Sequence, residues 1–135
     1  MNTELLMVLC ALFLAALGIL ASFFPQEILA FSGSQDEGLA VLVVQIAGAL
    51  YLGFAFLNWT ARASVLGGIY GRPVVLGNLL HFVVVTLALW KAVATGPQMT
   101  GVVAGAVVYS VFAVSFGMLL FVQPSALRSR TGDAR

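Results

Sequence analysis

Four apolar runs, each close to twenty residues long, restrict this chain more than any other feature of its sequence. They extend from about Leu5 to Phe24, Leu39 to Leu57, Val74 to Trp90 and Gly101 to Val122, against the roughly 20 residues that carry a helix across a bilayer. The first run is stopped by Pro25 and the fourth by Pro124, and the short third run ends at Lys91, a side chain able to snorkel to the interface. With 61 % hydrophobic and 8 % charged residues and a mean hydropathy of +1.08, a 135-residue chain has too little interior to hide its apolar surface from water. Lipid is therefore the solvent. In hydrocarbon each span has to satisfy its own backbone, which requires helices. The expected fold is all-α: an integral membrane four-helix bundle of up-down-up-down topology in a single domain.

Arginine and lysine set the orientation. With four spans, one side of the membrane receives Arg62, Arg72, Arg128, Arg130 and Arg135, and the other receives Lys91 alone. The first connection, PQEILAFSGSQDEG, holds three acids and no base. The positive-inside rule then places both termini in the cytoplasm. Within that connection, EILAF suits a short amphipathic turn at the outer interface, and the acids before Leu39 suit capping of the second helix. The N-terminus carries Glu4 where a cleavable signal would be basic, so the first run reads as a retained span. Cys10 stands alone, which excludes an internal disulfide. The chain has a net charge of +1 and no basic patch to neutralise phosphates, so nucleic acid is not an expected partner.

Helices in lipid pair chiefly through close contacts between small residues. The first span offers Ala11 with Ala15 and Gly18 with Ser22; the fourth offers Gly101 with Gly105 and Ala113 with Gly117. On the second span, Gly48 lies one turn from Leu52 and two from Ala55. These spacings predict intramolecular packing first, and homodimer contact second.

Polar chemistry concentrates between Leu57 and Phe82, where two arginines, two asparagines, a tyrosine and the only histidine fall. By the helical period, Tyr51, Asn58 and Arg62 lie within about 40° of one another on the second span. Asn78 and His81 share a face of the third span with Val85 and Ala88, about 9 and 13 Å beyond Arg72 at 1.5 Å per residue. Polar groups at membrane depth normally face inward. Tyr51, Asn58, Arg62, Arg72, Asn78 and His81 are thus candidate ligand-binding residues. They would line a polar cavity between the second and third spans, with the arginines at a cytoplasmic mouth suited to an anionic headgroup or a quinone carbonyl. The competing structural reading makes Asn58, Asn78 and His81 interhelical hydrogen-bonding groups and the arginines topology anchors. GGIYGRP predicts a tight turn, with positive φ available at Gly67, Gly68 and Gly71, Pro73 in the first turn of the third helix and Tyr70 at the interface.

Elsewhere, Gln45 suits a helix–helix hydrogen bond, and Trp59 and Trp90 suit interfacial belts. Tyr109, Phe112 and Phe116 form a stripe on the fourth span that suits core packing, or the wall of an apolar ligand cavity. No Asp or Glu falls within a span, which argues against a carrier built on an embedded carboxylate. One histidine supplies neither a two-ligand haem nor a metal site, and Ser110 and Ser115 have no visible base; no cofactor is expected.

In its four-span layout and in the stretch GALYLGFAFLNWTARASVLGGIYGRPVVLGNLLHF, the chain resembles the DoxX-like group of small bacterial membrane proteins. That resemblance implies a bacterial inner membrane and a quinone-adjacent or accessory role, since some members are associated with quinol oxidase complexes; no site residue is carried over from it. The leading expectation is a non-enzymatic membrane protein that binds an amphipathic, lipid- or quinone-like molecule or serves as an accessory subunit, as a homodimer or within a larger complex. A small transporter or channel is the alternative, and an enzyme acting on a lipid with His81 as base comes third.

Overall fold

The computed structural model describes residues 3–31, 33, 38–63, 71–96 and 100–122. Among them all regular structure is helical: α1 (Thr3–Phe23), α2 (Pro25–Phe31), α3 (Leu39–Ala61), α4 (Gly71–Thr95) and α5 (Thr100–Val122). The four long helices have 21, 23, 25 and 23 residues. At 1.5 Å per residue they reach about 31 to 37 Å, enough for a hydrocarbon core of about 30 Å. All four are long and apolar enough to cross a membrane. Large apolar side chains cover their outer surfaces, including Leu42, Ile46, Leu50 and Phe56 on α3 and Leu80, Val84 and Leu87 on α4. These are the features of an all-α, multi-pass membrane protein.

Helix boundaries differ from expectation in three places. Pro25 does end α1, but the chain re-forms a helix at once. Phe24 N donates to the Leu20 carbonyl at 2.8 Å and Ile28 N to the Phe24 carbonyl at 3.2 Å, so helical bonding resumes within one turn of the amide that proline lacks and the result is an elbow. The expected EILAF turn is thus a seven-residue helix. Helix α4 starts at Gly71, not Val74, and that glycine is helical instead of taking a positive φ. Pro73 permits this, because the first turn leaves its amides without helical partners anyway. Helix α4 also continues past Trp90 to Thr95, whose hydroxyl donates to the Lys91 carbonyl at 2.9 Å. Gly38 occupies the N-cap of α3 with φ 91° and no side-chain cap. The acids expected to cap that helix, the turn residues Gly67, Gly68 and Tyr70, and the tail from 123 onward lie outside the described residues.

The chain divides into two compact units, Met1–Ala63 and Ser64–Arg135. In the first, α1 packs antiparallel to α3, with α2 beside both. The contact is between backbones. A Cβ placed on Gly18 would stand 2.9 Å from the Leu52 amide nitrogen, and one on Gly48 would stand 2.7 Å from the Ser22 amide nitrogen and 2.9 Å from the Ala21 carbonyl carbon. The Gly18–Ser22 pair expected to pack closely therefore does so, on the Gly48–Leu52 turn of α3. Below this crossing Met7, Cys10 and Leu14 are fully buried.

In the second unit α4 packs against α5 by a different device. Phe82, fully buried, stacks on Phe112 (centroids 4.9 Å apart) and Phe116 (5.7 Å) and leans on Tyr109 (5.3 Å). The aromatic stripe of the fourth span is thus core. The glycines expected to bring α5 close leave room instead: a Cβ on Gly105 would meet Leu89 and one on Gly117 would meet Leu79, each at an ordinary 3.8 Å, and one on Gly101 would meet nothing within 4 Å. Trp90 adds a polar tie, its indole N–H donating to Ser110 Oγ at 3.1 Å while Ser110 donates to the Ala106 carbonyl at 2.7 Å.

Because the neighbours of Gly48 include, beside Ser22 Oγ, two backbone atoms that cannot rotate away, Gly48→Ala should lower stability by about 1–3 kcal/mol, the usual cost of overpacking. Gly53→Ala, with nothing within 4 Å, should be neutral or slightly stabilising. Thermal unfolding of the two variants in the same detergent, followed by circular dichroism, compares them directly.

Candidate functional site

The short polar side chains of the spans mostly bond back to their own helices. Asn58 Nδ2 donates to the Phe54 carbonyl and Asn78 Nδ2 to the Val74 carbonyl, both at 2.8 Å. Thr60, Thr95, Ser110 and Ser115 do likewise with carbonyls three or four residues earlier. In hydrocarbon this is the nearest acceptor a short side chain can reach. Both asparagines are 0 % exposed, and each buried amide has at least one donor satisfied.

The six polar candidates fall three on α3 and three on α4, in different units. Tyr51 is half-buried, Asn58 buried and Arg62 half-buried on α3; Arg72 is exposed, Asn78 buried and His81 half-buried on α4. His81 stands with the aromatic core. Its ring meets Phe82 edge-on at 5.2 Å and Tyr109 at 5.9 Å. The buried stripe of α4 runs through Gly71, Val75, Asn78 and Phe82; of the face read from the sequence, Val85 is half-buried and Ala88 exposed. Gln45 is exposed on α3.

At the end of α3 the geometry is more specific. Arg62 occupies the C-cap, where a cation complements the negative end of the helix dipole. Its guanidinium lies over the Trp59 ring, 4.1 Å from the centroid, and donates to the Trp59 carbonyl. A guanidinium on an indole face keeps its charge while losing some of its freedom. Trp59 in turn closes one end of an apolar groove of about 250 Å³ between α1 and α3, lined by Ala11, Leu12, Ala15, Leu52, Ala55, Phe56 and Trp59. The groove exists because Ala11, Ala15 and Ala55 are too short to fill the space beside the Gly18–Gly48 crossing. The apolar groove thus ends at a tryptophan whose ring also carries a cation.

Sequence reasoning selected Arg62 and passed over the groove. Its alanines read as packing residues, and Trp59 reads as a belt residue; the signal available was the Ala11–Ala15 spacing on the helix that carries Gly18. Among the described residues no three His, Cys, Asp or Glu side chains lie together as metal ligands. No family model matches the chain, and no curated protein or solved structure matches it.

The buried amides give a test of charge tolerance. Asn78→Leu keeps the branching but is bulkier; it removes the amide and its need for a partner, so its cost should be that of mild overpacking, about 1–3 kcal/mol, and the same at every pH. Asn78→Asp should cost about 3 kcal/mol or more at neutral pH, because it leaves a buried, uncompensated carboxylate. That loss should shrink as acid protonates the new side chain, as chemical unfolding at pH 5 and pH 8 would reveal.

Proposed function

We propose that this protein is a non-enzymatic component of a bacterial inner membrane that binds an amphipathic molecule, a lipid or a quinone-like compound, on its first helical unit. One observation carries the reading: the α1–α3 groove ends at Trp59, and the Trp59 ring holds the Arg62 guanidinium at 4.1 Å. At about 250 Å³ the groove is smaller than the roughly 300–1,000 Å³ of enclosed small-molecule sites. It suits one acyl or isoprenoid chain, with the head left at the interface beside Arg62. The cation would pair with a phosphate or donate to a quinone carbonyl.

Two further considerations support it. The positive-inside bias puts the Arg62 end of α3 on the cytoplasmic side, where anionic lipid attracts basic residues. The resemblance to the DoxX-like group agrees with a quinone-adjacent or accessory role. Of the six polar candidates, Arg62 takes the head. Tyr51 and Asn58 stand roughly 100° around α3 from the groove's mean direction by the helical period and have no contact role in this reading.

Native mass spectrometry of the protein extracted in a mild neutral detergent tests it. Wild type should retain a molecule whose mass identifies it as lipid or quinone. Ala15→Phe, which fills the groove, should lose it; Arg62→Gln should lose an anionic lipid while keeping the helix content seen by circular dichroism. Equal retention by wild type and both variants would overturn the proposal.

A further inference from the structure

A second groove lies at the other end of the same unit, and its charge is opposite. It occupies the elbow between α1 and α2, has a volume of about 420 Å³, and is lined by Leu20, Phe24, Glu27, Ile28 and Phe31. From Ala11, at the level of the first groove, to Phe24 is about 20 Å along the helix at 1.5 Å per residue. The lining is apolar except for Glu27, whose side chain is exposed, and two phenyl rings, Phe24 and Phe31, stand in it at 48 % and 80 % exposure. The elbow holds these rings open to the surroundings, because Pro25 turns α2 away from the axis of α1.

We infer that this elbow groove binds a lipophilic ammonium compound, a protonated or quaternary amine on an apolar body. Its volume falls within the range of small-molecule sites, its walls are apolar, and Glu27 is the one charged residue beside them. A carboxylate selects the sign of the head, and aromatic faces favour an ammonium over a neutral head. The connection that includes Glu27 contains three acids and no base, so no cation of that segment competes for the carboxylate. The inference is independent of the Arg62 groove.

The test titrates the full-length protein in neutral maltoside micelles with dodecyltrimethylammonium and, separately, with chain-matched dodecanol, counting bound probe by native mass spectrometry. Wild type should bind the cation about fivefold more tightly than the alcohol, the scale of one exposed charge pair, and less tightly in high salt. Glu27→Gln should bring the cation to the level of the alcohol, and Phe31→Ala should weaken both. Both groove variants alter exposed side chains, and circular dichroism verifies their folding. Equal cation affinity in wild type and Glu27→Gln would overturn the inference. Retention of phosphatidylethanolamine by wild type but not by Glu27→Gln, and its release by the ammonium probe, would support it with a lipid headgroup as the source of the amine.

Discussion

Hydrocarbon offers a peptide group no hydrogen-bonding partner, and most of this structure follows from that one fact. It makes every span a helix and turns the hydroxyls and amides of the spans back onto carbonyls of their own helices. It also removes the usual hydrophobic reason for helices to associate. The two units answer that last difficulty differently. In the first, glycines let α1 and α3 touch backbone to backbone at Gly18 and Gly48; in the second, Phe82 inserts a flat ring among Phe112, Phe116 and Tyr109. Close approach leaves grooves beside the crossing, whereas interleaved rings fill the space between α4 and α5.

Hydropathy made the helices legible in the sequence, and small-residue spacing marked Gly18, Ser22 and Gly48 as packing residues without saying which helices they join. Span ends were less legible, because apolarity marks where lipid is, whereas a helix stops where its backbone bonding stops. Gly71 and Arg72 are poor lipid-facing residues but acceptable helical ones ahead of Pro73, and Thr95 extends α4 by bonding back to Lys91. On α5, Gly101 and Gly105 have the spacing of a contact motif without its geometry. Four-residue spacing says which residues share a face, not how near the neighbouring backbone comes.

The candidate site shows the same division. Arg62 stood out as a charge at a span boundary, and the structure gives it a definite posture over Trp59. The groove leading to it had no comparable signature, since a void between two helices depends on their rotation and separation, and its walls are residues that any span contains. Asn58 and Asn78 were conspicuous by rarity. Their burial, and their bonds to Phe54 and Val74, show that a polar side chain in a span can be a well-satisfied part of the interior.

The charges of α4 have a mechanical consequence. Arg72 and Lys91 stand exposed near its two ends, and nineteen rises of 1.5 Å separate them by about 28 Å, close to the thickness of a hydrocarbon slab. Helix α4 is therefore moored at both faces. Sliding it along the bilayer normal would submerge one charge, and thicker lipid would have to thin around it. Helix α3, at about 35 Å, carries a cation only at Arg62 and is moored by charge at one face only. Bilayer thickness thus acts on the two helices in different ways.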